Sequence, residues 1–380
     1  MARDANVAPA RRIGINALYW RPDAMGGTQT YLLRLVESMR RVAPQHEYVV
    51  FLNEEGAAAR SPAFEGLEVV VSPFSGRVRP LRMLWEHARL PAEASRRGVD
   101  LLHSLGYIGP SGLAMPSVVT VLDLVHYRYP RQIHPAKQLL WRWMFPRSLA
   151  SADHIVTISE SVAAELEQRF PATRGRISAV RLGVDAVNET GIIETSSSAS
   201  RYLLAVASAA PHKNLATLLR AMRRLQAYRH DVRLKLVGMR TATTASLTRL
   251  ADELGIADRV EFTGHVSDAA LDTLYRGAVA LVFPSLYEGF GLPPLEAMAR
   301  GCPVIASDRP AVPEVVGDAA LTFRAEDVEE LAARISALLG DPALSDRLRA
   351  AGRVRAAQFT WDATARGTLD VYERLLAVAA

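Results

Sequence analysis

The stretch from Ala278 to Ile305 restricts the fold more than any other part of the chain. Its apolar run, Ala278 to Phe283, reads as a buried strand, and the following Glu288-Gly-Phe-Gly-Leu-Pro-Pro294 prevents that strand from continuing. Pro293 and Pro294 suit the first turn of a helix, where missing N–H groups cost little. Strand, glycine-rich loop and helix N-terminus in this order present free backbone donors and a positive dipole end to an anion, most simply a phosphate. Two carboxylates bracket the loop, Glu288 before the glycines and Glu296 in what the spacing makes the first helical turn. Glu288 has no packing reason to stand beside exposed glycines and points toward the reacting end of a ligand. Glu296 fits either a ligand contact or plain complementation of the helix dipole.

The alternation recurs on both sides of this stretch. Strand-like runs at 11–18, 46–52, 67–71, 99–103, 117–126, 152–158 and 177–184 are followed by 202–208, 232–238, 260–266 and 303–306. Beyond Ala319 the remaining sequence reads as helical. A chain of 380 residues is too long for one ordinary core. The expected fold class is therefore α/β, with two doubly wound parallel-sheet domains facing a cleft. The expected boundaries are 1–185, a Ser/Thr-rich linker at 186–200, a second domain at 201–360, and a helix at 361–380 crossing back onto the first domain.

Polar residues fall where such a fold places ligands, at the carboxyl ends of strands. Gly26-Gly27 follows the first strand, with Thr28 as the expected N-cap of a helix bearing Tyr31, Leu32, Leu35, Val36 and Met39 on one stripe. No G-x-G-x-x-G with a following acidic residue is present, which disfavours a dinucleotide site. His103, Asp123 and His126 stand at successive strand ends, and Ser159 caps the helix after the strand at 152–158. Lys213 lies at a strand-to-helix turn, where it can reach a phosphate. Only three lysines occur (Lys137, Lys213 and Lys235), so one at a motif position is a poor candidate for surface filler.

Glu288 and Glu296, spaced E-x7-E inside EGFGLPPLEAMARGCPVIAS, resemble the signature of glycosyltransferase family 4. These are retaining nucleotide-sugar enzymes of the GT-B fold, two Rossmann-like domains. The resemblance spans nearly the whole chain and is strongest from Tyr202 to Ala320. It implies Glu288, Asp123 and His126 as catalytic residues and Gly289, Phe290, Gly291, Leu292 and Glu296 as donor contacts. It implies further donor contacts from Gly26 and Gly27, from Ser208 and Lys213, from Gly238, and from Gly264, His265 and Val266, whose backbone faces the base. Tyr31, His103 and Tyr107 are the implied acceptor side. The chain departs from the family pattern at Leu122, where His is common, and at Ser208, where Arg is typical and Thr or Ser also occurs. The ensemble of LWEHARLP, PHKN and EGFGLPPLEAM is most similar to mannosyltransferases of surface-polysaccharide assembly. GDP-mannose is the first expectation for the donor and a UDP-linked hexose the second. The acceptor expected is a saccharide or lipid-linked saccharide. A non-hydrolysing nucleotide-sugar epimerase and a catalytically silent nucleotide-sugar binder remain as alternatives.

Charge supports the placement of the acceptor. Residues 1–190 carry 23 Lys and Arg against 18 Asp and Glu, whereas 191–380 balance at 22 each. Two basic stretches with interleaved apolar residues, Gly76–Arg97 and Lys137–Arg147, suit either peripheral contact with an anionic membrane or ordinary helices with a cationic outer face. No run of about 18 apolar residues occurs. The N-terminal residues lack the apolar core of a leader, and the single cysteine, Cys302, fits a reducing cytoplasm. No Asp-x-Asp loop or H-E-x-x-H is present, so neither a metal nor a cofactor is expected beyond the nucleotide-sugar co-substrate. Nucleic acid is not an expected partner.

Overall fold

The computed structural model describes residues 9–22, 26–132, 134–186, 201–227, 230–239, 241 and 243–379. Its contacts divide the chain into two units, Met1–Gly183 with Trp361–Ala380, and Val184–Thr360. The expected linker at 186–200 lies, apart from Ala186, outside the described residues.

The first unit is built on strands β1 (Arg12–Asn16), β2 (Glu47–Leu52), β3 (Glu68–Val71), β4 (Leu101–Ser104), β5 (Ser117–Val121), β6 (His154–Thr157) and β7 (Ile177–Ala179). They form one sheet in the order β3-β2-β1-β4-β5-β6-β7, with every pairing parallel. The central strands β1, β4 and β5 are buried along nearly their whole length rather than at alternate residues, as strands covered on both faces are. Helix Gly27–Val42 buries Tyr31, Leu32, Leu35, Val36 and Met39, the stripe its sequence predicts. Helix Trp361–Ala379 packs against it, with an ion pair between Arg41 and Asp362.

The second unit carries β8 (Tyr202–Val206), β9 (Arg233–Val237), β10 (Val260–Gly264), β11 (Ala280–Phe283), β12 (Val304–Ser307) and β13 (Leu321–Phe323). Their order is β10-β9-β8-β11-β12-β13, again all parallel. Leu218, Leu219 and Met222 of helix Leu215–Ala227 join Ile305, Phe323, Leu331 and Ile335 in its core. In each sheet the chain winds outward from a central strand and then returns to that strand's other side. The crevices this opens, where doubly wound sheets hold ligands, lie at the carboxyl ends of β1 with β4 and of β8 with β11.

Four local expectations differ from the structure. The strand at 117–126 stops at Val121, and Val125–Arg128 forms a short helix whose start is held by the Asp123 carboxylate. The strand expected at 177–184 ends at Ala179, because the Arg181 carbonyl accepts from Thr364 of the C-terminal helix instead of a neighbouring strand. A thirteenth strand, Leu321–Phe323, stands where a helix was expected; three residues are too few to reveal a period of two. Helix Gly27–Val42 starts two residues earlier than Thr28 allows as a cap, and Gly26 takes the N-cap position.

Candidate active site

The Gly/Pro loop leaves β11 at Phe283 and enters helix Leu292–Ala299, whose first turn carries Pro293 and Pro294. Gly291 precedes the helix at φ +124°, a conformation that a side chain would oppose. Gly289, Phe290 and Gly291 are buried. The Phe290 ring packs edge-on against Phe359 with centroids 6.0 Å apart, so its side chain is committed to packing. Leu292 is half-buried at the helix start.

On the adjacent strand, β8 runs into Ser208 and the turn Pro211–Lys213. Two hydrogen bonds clasp this turn to the loop after β11: Leu286 N–H donates to the His212 carbonyl at 2.8 Å, and Asn214 Nδ2 donates to the Pro284 carbonyl at 3.1 Å. Asn214 holds φ +55°, a left-handed conformation that Asn tolerates better than most residues. The clasp brings Lys213 Nζ to 2.7 and 2.8 Å from the two carboxylate oxygens of Glu288. Both side chains are largely withdrawn from solvent, at 20% and 13% exposure. Lys213 and Glu288, 75 positions apart, thus meet at the switch point of the second sheet. The role of Asn214 is missed from the sequence, although a small polar residue at a strand-to-helix turn is the available signal.

Glu296 falls in the second turn of its helix, because the helix begins at Leu292. The expectation of a first-turn carboxylate is corrected accordingly, and dipole complementation no longer accounts for it. Its Oε2 accepts a hydrogen bond from the buried Tyr275 hydroxyl at 2.8 Å. Burial pushes the Glu296 carboxyl above the ordinary carboxylate range, against the Tyr275 hydrogen bond and the Arg300 charge. Arg300 lies 5.3 Å from the Tyr275 ring centre, and its Nε donates to Asp272 at 2.8 Å.

Gly238 and Gly264 close β9 and β10. Together with Ala207, Ala209, Leu215, Leu236, Met239, Thr244 and Phe262 they line an open concavity. Gly238 sits at φ +152°, and a β-carbon there would lie 2.2 Å from the Ala207 carbonyl oxygen, so glycine is required for the two strand ends to approach. His265 is exposed beside this concavity and Val266 is half-buried.

In the first unit the expected residues separate into two groups. Asp123 accepts from the Tyr107 hydroxyl at 2.7 Å and from Val125 N–H at 2.9 Å. His126 stacks on Trp141 with ring centroids 4.1 Å apart, and Tyr107 stands edge-on to the same indole. Asp123, His126 and Tyr107 are therefore one cluster at the carboxyl end of β5. Tyr31 and His103 are not part of it. His103 has no exposed surface; its ring bonds the Tyr372 hydroxyl at 2.5 Å and Thr120 Oγ1 at 2.7 Å. Burial drives its pKa down to about 3. Tyr31, 1% exposed, reaches the same Thr120 hydroxyl at 3.1 Å. Both acceptor assignments are corrected: helix Trp361–Ala379 covers these side chains and makes them core hydrogen-bond partners. Leu122 is buried at 5% exposure. Gly26 is exposed at the start of its helix, with Gly27 the first helical residue. Among the described residues no group of three His, Cys, Asp or Glu side chains converges as metal ligands.

A phosphate-competent loop, a Lys–Glu pair at a switch point and a second parallel-sheet unit define a glycosyltransferase of the GT-B fold, and comparison with known proteins agrees. Residues 192–355 match the glycosyl transferases group 1 family and residues 25–187 match Glycosyltransferase Family 4. The chain belongs to glycosyltransferase family 4. It is 34% identical to the MMP alpha-(1->4)-mannosyltransferase of Mycolicibacterium hassiacum, over 75% of this chain and 73% of that one. It is 31% identical to O-antigen chain mannosyltransferase B of Escherichia coli, over 76% of this chain and 78% of the relative. Among solved structures, sucrose-phosphate synthase from Thermosynechococcus elongatus superposes with TM-score 0.76 at 21% identity, covering 97% of this chain and all of that one. Anabaena HepE, solved in complex with UDP, gives TM-score 0.72 at 17% identity, over 96% of this chain and all of that one.

Proposed function

We propose that the chain is a retaining hexosyltransferase that moves mannose from GDP-mannose to a saccharide or lipid-linked saccharide of a surface polysaccharide or glycoconjugate. The Lys213–Glu288 pair beside the Gly/Pro loop carries this reading. Departure of a nucleoside diphosphate builds negative charge on phosphate while the anomeric carbon becomes oxocarbenium-like. Lys213 and the N-terminus of helix Leu292–Ala299 stabilise that departing charge as preorganised donors, and Glu288 holds hexose hydroxyls or the developing positive charge. Glu296, fixed by Tyr275, holds the ribose, and the concavity at Gly238 and Gly264 takes the base. The incoming hydroxyl attacks the face from which phosphate leaves, with that phosphate assisting its deprotonation, so no side-chain base is needed. The two mannosyltransferase relatives support mannose over other hexoses. UDP-hexose is the alternative donor. Catalysis of this kind suits a cytoplasmic enzyme working at a membrane face, which exposed apolar side chains on the basic first unit would favour (Leu84, Leu139 and Trp143).

The test is thermal stabilisation by GDP, UDP, ADP and TDP and their sugar conjugates, on wild type and Lys213→Ala. A nucleotide at 100 times its dissociation constant adds about 2.7 kcal/mol. A shift confined to guanine nucleotides and lost in the variant is expected. A shift confined to uridine nucleotides transfers the reading to a UDP-hexose, and no shift with any nucleotide overturns it.

A further inference from the structure

A second polar cluster lies at the switch point of the first sheet, where no role has been assigned. Asn16 ends β1 and Ser104 ends β4, and Asn16 Nδ2 donates to Ser104 Oγ at 3.0 Å. The same amide donates to Glu86 Oε1 at 2.6 Å. Glu86 belongs to helix Arg79–Ala88 and is only 6% exposed. One turn earlier Arg82 brings its Nε to 4.0 Å from Glu86 Oε2, with 19% of its side chain exposed. A buried carboxylate–guanidinium pair is a poor stabiliser compared with apolar packing of the same volume, so its presence at a strand-end crevice asks for another reason.

That reason is unused hydrogen-bonding capacity. Arg82 Nε, His87 Nε2 and Tyr19 Oη are all shielded from solvent, and none has a hydrogen-bond partner among the described residues. Buried polar atoms in native proteins are nearly always paired, and three exceptions at this sheet crevice and on the helix beside it point to a missing partner. The Tyr19 ring is seated against Gly106, where a β-carbon would come within 2.4 Å of it. Gly106 lies two residues beyond Ser104, whose hydroxyl shares the Asn16 amide with Glu86, so Tyr19 stands at the same strand ends.

The chemistry of the cluster selects its ligand. Guanidinium and carboxylate cancel, so the site repels neither charge and attracts neither. Glu86 Oε2 accepts, Arg82 Nε donates, and His87 and Tyr19 can do either, which is the pattern that adjacent hydroxyl groups satisfy. We propose that Arg82, Glu86, His87 and Tyr19 form the acceptor-recognition subsite and that it takes an uncharged, hydroxyl-rich ring, the terminal sugar of a saccharide, in preference to a phosphorylated acceptor. This rests on the glycosyltransferase reading, with the acceptor on the first unit.

The experiment titrates the full chain with methyl α-mannoside, mannose 6-phosphate and GDP by calorimetry, in wild type, Glu86→Gln, Arg82→Lys and Tyr19→Phe. Methyl α-mannoside is expected to bind wild type, at least tenfold more weakly to the Glu86 and Arg82 variants, and at least threefold more weakly to Tyr19→Phe. GDP affinity should stay within twofold throughout. Tyr19→Phe removes only an unpartnered hydroxyl and so cannot act by loosening the fold; an unchanged glycoside affinity in that variant overturns the subsite. So does wild type that fails to bind the glycoside, or that binds mannose 6-phosphate tenfold more tightly. Glycoside binding that responds to these substitutions in a protein that binds no nucleotide would sink the donor reading alone.

Discussion

At the scale of single residues, burial decides which polar groups serve the site and which serve the fold. His103 stands at the end of β4, as a ligand-binding histidine would, yet Tyr372 and Thr120 hold both ring nitrogens inside the first unit. Its pKa is lowered from 6.5 to about 3, so the folded protein binds no proton there while the unfolded chain does below pH 6.5. Stability contributed by this residue is complete above pH 6.5 and falls as pH drops from 6.5 toward 3. The expected loss between pH 7.5 and 5.5 is about 1.4 kcal/mol in denaturant unfolding. His103→Gln should flatten that part of the profile, and an unchanged slope would show that His103 is not the titrating group. Glu288 and Glu296, similar in sequence, also diverge here. One is held by a lysine from another loop, the other by a tyrosine from the preceding helix.

At the scale of elements, the donor-side loops depend on close approach between strand ends. Gly238 must pass the carbonyl of Ala207, which leaves no room for a β-carbon. Gly238→Ala is expected to destabilise the protein by about 2 kcal/mol or more, through a clash with backbone that cannot rotate away. It should also weaken nucleotide binding at least tenfold, because the concavity shares this wall; thermal unfolding with and without nucleotide checks both. A variant with wild-type stability would mean the two strand ends can separate freely. A helix start is legible where a side chain caps it, as Ser159 does. Helix Gly27–Val42 begins without a side-chain cap, and its cap lies two residues before the expected Thr28.

At the scale of the whole molecule, the charge excess falls in residues 1–190 and the second half is neutral. Helix Pro135–Ser151 exposes Leu139 at 72% and Trp143 at 55%, with Arg147 stacked 4.3 Å from the indole centre. No helix among the described residues is long and apolar enough to cross a membrane. The expected result is binding to vesicles containing anionic phospholipid, weak on zwitterionic ones. It should fall severalfold between 0.05 and 0.5 M salt, as about a 14 Å to 4 Å change in screening length requires. Leu139→Asp with Trp143→Asp should reduce sedimentation with anionic vesicles at least fivefold; equal sedimentation would assign these side chains another use.

The sequence by itself determined the α/β class and the strand–loop–helix at Glu288, because both rest on short-range spacing, and the motif around Glu288 carried the resemblance to glycosyltransferase family 4. Apolar runs, glycines that need unusual backbone angles and prolines at a helix start are local constraints, and they read directly. Only the tertiary structure decided that Lys213 pairs with Glu288, that Tyr275 holds Glu296, and that Asn16 and Glu86 meet at the first sheet's crevice. Those pairs join residues 21 to 75 positions apart through strand order and loop clasps. The same cause withdrew Tyr31 and His103 from the acceptor side: the helix that covers them comes from the far end of the chain. Burial by a distant segment leaves no mark in the residues it buries.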